Sequence, residues 1–64
     1  MKWTDINEIA IALDEEYPDF DVLTIRFTDL RDKVLALVEF DDEPNGCNEK
    51  VLEAIQSAWI DEQE

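Results

Sequence analysis

Apolar residues recur along this chain at intervals of three and four, and that spacing predicts helices. Ile6, Ile9, Ala10, Leu13 and Tyr17 fall on one face of a first helix. Its start is expected at Thr4 or Asp5, where Asp5 and Glu8 stand at capping-box spacing and Trp3 is placed to staple onto the first turns. Pro18 ends it, because proline lacks the N–H that the next turn needs. Asp14, Glu15 and Glu16 lie in its last turn, where the helix dipole disfavours negative charge, so these acids do not stabilise that helix end.

After Pro18-Asp19-Phe20-Asp21, residues Val22 to Ile25 read as a short helical turn with Asp21 as its cap. A second helix is expected from Thr28-Asp29, with Leu30, Val34, Leu37 and Val38 as its stripe, running to about Val38. The β-branched and aromatic residues between Val34 and Phe40 keep a strand open as the alternative there. Residues 39–46 form a loop by their Pro and Asn-Gly turn chemistry. Asn48 then caps a last helix whose apolar set, Val51, Leu52, Ala54, Ile55, Ala58 and Trp59, is the clearest in the chain. The predicted fold is all-α: one domain over residues 1–64, three helices with an extra short helical turn.

Charge changes this picture from a generic helical domain to a strongly polarised one. The chain carries 18 Asp and Glu against five Lys and Arg, with no His, for a formal net charge of -13. Residues 1–22 hold seven of the acids and residues 39–64 hold nine, whereas residues 23–38 are slightly basic. Such a surface repels phosphates and anionic headgroups and attracts cations and basic proteins, which sets aside nucleic acid and membranes as partners. A hydrophobic share of 45% separates the chain from a disordered acidic tail. Its core must still be thin at this size.

The single cysteine, Cys47, has no internal partner for a disulfide, and no apolar run approaches a membrane span. Both point to a reducing cytoplasm and a monomer that folds by packing alone. Without His, the usual nucleophile-and-base pairs cannot be built, and Cys47 follows an acidic loop. The chain therefore reads as a binding protein and not an enzyme. Trp3, Trp59, Tyr17 and Phe27 are assigned to packing.

Metal chemistry is the remaining candidate. Asp41, Glu43, Asn45 and Gly46 match the first, third, fifth and sixth places of a calcium loop, but Leu52 occupies the twelfth, where a bidentate Glu is required. Looser oxygen sites are offered by Glu15, Asp19 and Asp21 and by Asp41, Asp42 and Glu43, suited to hard cations with weak selectivity. A solvated acidic face is the simpler reading of the same residues. Asp5, Asp29 and Glu49 equally suit first-turn dipole and capping roles.

Particular residues in order carry more than composition does. Lys2-Trp3-Thr4-Asp5, Tyr17-Pro18-Asp19-Phe20-Asp21, Arg26-Phe27-Thr28-Asp29-Leu30, Phe40-Asp41-Asp42-Glu43-Pro44 and Asn48-Glu49-Lys50-Val51-Leu52-Glu53-Ala54-Ile55, with Trp59 and Asp61-Glu62, closely resemble the IscX family of bacterial iron–sulfur cluster assembly. The resemblance spans essentially the whole chain. It implies a helical domain like a modified winged helix that binds the cysteine desulfurase IscS at a basic surface where bacterial frataxin also docks, in competition with it. It further implies weak iron binding through surface acids and a regulatory or iron-delivering role on the scaffold IscU.

Carried onto this sequence, the implied weak-iron candidates are Glu15, Asp19, Asp21, Asp41, Asp42 and Glu43. The implied partner-binding candidates are Asp5, Glu8, Glu15, Asp19, Asp21, Asp41, Asp42, Asp61 and Glu62. Val22 stands where the family usually has Pro, Cys47 where a small residue such as Ser is common, and Asp14 and Glu16 add charge. Three readings stay open: a desulfurase regulator, an iron donor, and an acidic mimic of DNA that blocks a basic protein.

Overall fold

A computed structural model describes residues 1–64 and orders them as α1 (Ile6–Glu16), a short 3-10 turn (Val22–Thr24), α2 (Phe27–Leu35) and α3 (Glu49–Glu62), with no strand. The fold is thus the all-α arrangement that the apolar spacing predicts. Ten residues form one buried cluster, all apolar: Trp3, Ile9, Ala10, Leu13, Val22, Leu30, Val34, Leu52, Ile55 and Trp59. The principal packing is α1 on α3, with α2 and the short turn closing the sides. Of the apolar set expected in the last helix, Ala54 is exposed.

The helix ends differ in detail from the capping chemistry expected of them. Asn48 caps α3 as predicted, its Oδ1 accepting the Val51 N–H at 2.9 Å. Asp5 precedes α1, but its carboxylate turns the other way and accepts the Lys2 N–H at 2.8 Å, so no capping box forms with Glu8. A tight turn explains the choice: the Asp5 N–H donates to the Lys2 carbonyl at 2.9 Å, which brings the Lys2 N–H within reach of the same side chain. Trp3 is buried in the core, in keeping with the packing role expected of it. Asp21 likewise accepts from the Thr24 hydroxyl at 3.0 Å instead of capping the backbone.

α2 begins at Phe27 and stops at Leu35, short of the expected Val38. Residues Leu37 to Phe40 make a turn, the Phe40 N–H donating to the Leu37 carbonyl at 3.1 Å, and Val38 is fully exposed. Long-range partners account for the early stop. Phe40 packs edge-on to Trp3 with ring centroids 4.6 Å apart, and the Asp41 N–H donates to the Met1 carbonyl at 2.9 Å. Another helical turn would carry both residues away from those partners, and the strand alternative fails with it.

The loop after α1 is held by aromatic contacts. Phe20 stacks on Trp59 at 5.5 Å with an interplanar angle of 15°, and the Lys33 ammonium sits 4.3 Å from the Tyr17 ring and 4.7 Å from that of Phe20. The Gln63 amide donates to the Phe20 carbonyl at 2.7 Å and the Gln56 amide to the Val22 carbonyl at 3.0 Å. α3 therefore pins both sides of this loop.

Candidate functional site

The candidate acids separate into groups that the tertiary structure treats differently. At the end of α1, Asp14 and Asp19 join Glu62 from the end of α3 around a hollow of about 470 Å³, completed by Pro18, Phe20 and Gln63. Asp19 is presented there by a left-handed backbone, φ 64°, which Asp tolerates better than most side chains. Asp14 is the residue of this group that sequence reasoning left out of the site. Its signal was legible, since an acid in the last turn of a helix does not stabilise that helix. Asp21 and Asp61 are exposed nearby in sequence and do not line this hollow.

Asp41, Asp42 and Glu43 form the second group, and they hold the chain start. The Lys2 ammonium donates to the Asp41 carbonyl at 2.7 Å, and the Trp3 indole N–H donates to the Glu43 carbonyl at 2.7 Å. Asp42 accepts two main-chain N–H groups, from Trp3 at 3.1 Å and from Glu43 at 2.8 Å. Those two bonds, seconded by the positive charges of Lys2 and the N-terminus, lower the Asp42 pKa below its ordinary value. All three side chains are exposed, but that of Asp42 is an architectural group, engaged by two main-chain N–H groups.

Glu8 and Glu15 lie on the exposed side of α1, and Asp5 is engaged with Lys2. The two acidic loops belong to different ends of α1: one is tied to the residues before it, the other follows its last turn. An eleven-residue helix spans roughly 16 Å, far more than one ion can bridge. No three His, Cys, Asp or Glu side chains are grouped so that they could hold one metal ion. The donor set therefore does not fit a chelating iron centre; carboxylates acting singly or in pairs are what the surface offers.

Cys47 is half-buried with its Sγ 4.0 Å from the Pro44 carbonyl, which also accepts from the Arg31 guanidinium at 3.1 Å. No helix is long and apolar enough to cross a membrane.

Comparison with known proteins agrees with the residue-level resemblance. The chain is 55% identical over 64 residues to an uncharacterized protein of Pseudomonas aeruginosa, covering 100% of this chain and 97% of that one. The family described as iron–sulphur cluster assembly matches it over residues 1–64. With every residue of a small acidic helical domain matched, the chain belongs to the iron–sulphur cluster assembly family, the IscX family.

Proposed function

We propose that the protein is a non-catalytic, cytoplasmic accessory of cluster assembly that docks through exposed carboxylates on a basic surface of a cysteine desulfurase and regulates sulfur transfer. The observation that carries this reading is that Asp14 of α1, Asp19 of the following loop and Glu62 of α3 line one hollow, beside the Phe20–Trp59 stack that fixes the loop. Carboxylates held by a rigid scaffold steer association with a basic surface and require no reactive group. Asp21 and Asp61 extend the same negative field. A docked domain of this kind competes with any other acidic protein for the surface, frataxin included, and sits beside the scaffold IscU.

Weak iron association through single or paired carboxylates belongs to the same proposal, with docking and not metal carriage as the function. The scattered placement of Asp19, Asp21, Asp41 and Glu43 supports that order, since a carrier needs converging ligands to hold its cargo. Asp14→Lys, Asp21→Lys and Glu62→Lys together are expected to weaken desulfurase binding at low salt at least tenfold, with helicity by circular dichroism unchanged. Unaltered affinity in that triple variant rejects the docking face. An anaerobic ferrous titration with and without the desulfurase distinguishes the regulator from an iron donor, which would bind metal tightly enough to carry it.

A further inference from the structure

Val38 has no role in the fold, because its side chain is wholly exposed in a turn that any polar residue would satisfy. Ile11, 44% exposed, likewise lies outside the buried face of α1. Both border a continuous depression between α1 and the turn after α2. One part, about 400 Å³, is lined by Ala36, Leu37 and Val38; the other, about 230 Å³, is lined by Ile11; and Met1, Ala12, Glu15 and Glu39 line both. Apolar side chains thus occur in both parts, interleaved with the acids.

The rim has a single sign. Glu15 and Glu39 border both parts, Glu16 the first and Glu8 the second, and no Lys or Arg lines either. The nearest positive group, the Met1 ammonium, is already held by the Glu39 carbonyl at 2.6 Å. A trough of apolar side chains interleaved with carboxylates is complementary to a segment with apolar side chains on one side and Lys or Arg beside them.

We propose that this groove docks a cationic amphipathic segment of a partner protein, its apolar side chains resting between Ile11 and Val38 and its basic ones on Glu8, Glu15, Glu16 and Glu39. A second copy of the chain is a poor occupant, because two surfaces that each belong to a chain of net charge -13 would meet acid to acid. Anionic lipid is repelled for the same reason. The inference goes beyond docking on a desulfurase: it names an apolar anchor site, and it stands whether or not that enzyme is the partner.

The test therefore leaves the desulfurase out, so the two readings fail separately. The ¹³C-methyl-labelled protein is titrated with a synthetic Leu/Lys peptide that forms an amphipathic helix and, in parallel, with oligolysine of equal charge. Shifts are expected at Ile11, Ala12 and Val38 with the Leu/Lys peptide. The Ile11→Ser/Val38→Ser variant is expected to bind that peptide about tenfold more weakly while its affinity for oligolysine is unchanged. Glu15→Gln/Glu39→Gln, which leaves the apolar side chains intact, is expected to weaken both peptides and flatten their salt dependence. The proposal is overturned if the double Ser variant binds both peptides like the parent, if the shifts fall outside the groove, or if dilution or anionic vesicles perturb the same methyls without peptide.

Discussion

Asp42 binds the main-chain N–H of Trp3 across 39 positions of sequence, at 3.1 Å, while its other oxygen takes the N–H of Glu43 at 2.8 Å. An acid that sequence placed in the binding loop therefore holds the start of the chain against the loop before α3. The neighbouring Trp3 indole bond to the Glu43 carbonyl closes the same junction. Charge count alone does not separate this carboxylate from Asp41, which has the same residue type and the same exposure.

Because the two N–H groups stabilise the carboxylate form, the folded-state pKa of Asp42 lies below the ordinary 3.8. The associated stability is complete above the unfolded-state value and is lost as pH falls through the folded-state one. Asp42→Asn is expected to melt below the parent near neutral pH, with the gap narrowing in acid. Carboxyl ¹³C titration should place Asp42 below the ordinary 3.8, and a midpoint at or above that value refutes the assignment.

Gly46 stands against the same junction. A Cβ there would lie 3.0 Å from Trp3 Cδ1 and 3.2 Å from the Glu43 carbonyl oxygen, although the backbone conformation itself is open to any residue. Trp3 is buried and hydrogen-bonded, so it cannot swing aside. Gly46→Ala is expected to cost about 1–3 kcal/mol in urea unfolding, as overpacking does. An unchanged urea midpoint would mean the loop yields freely.

The two tryptophans differ in one bond. The Trp3 indole N–H has the Glu43 carbonyl at 2.7 Å, whereas that of the fully buried Trp59 has no partner. Replacing each with Phe removes similar apolar area, but only Trp3→Phe removes a hydrogen bond. Trp3→Phe is expected to be the more destabilising by about 1 kcal/mol. Chemical denaturation of both variants measures the difference, and the reverse order contradicts it.

Self-repulsion of a net charge of -13 subtracts from the compact state, and added ions screen it. The melting temperature is expected to rise from low salt to a few hundred millimolar sodium chloride, and to rise further with millimolar magnesium at constant ionic strength. A flat salt response would show that the acids are already spaced widely enough to ignore one another.

Helix positions were legible from sequence wherever a local rule was uncontested. Pro18 stopped α1, Asn48 started α3, and the 3.6-residue spacing of Leu52, Ile55 and Trp59 marked the face that α3 buries. Misreadings fall where a distant partner outcompeted a local one. Leu37 and Val38 continue the helical stripe of α2, yet Phe40 and Asp41 are claimed by Trp3 and Met1, so the helix ends at Leu35 and Val38 is left in water. Asp5 has the residue type and spacing of a cap, yet the turn beside it offered a nearer donor in Lys2.

The candidate site divides along the same line. Residue order was enough to establish the family, the all-α class and the acidic character, because these depend on which residues are present and on periods shorter than ten positions. Folding decided that Asp14 stands with Asp19 and Glu62, that Asp42 is a fastener, and that Ile11 and Val38 border one acidic-rimmed groove. Each of those outcomes is a juxtaposition across tens of residues, set by which apolar side chains the three helices had to bury together, and no local rule encodes it.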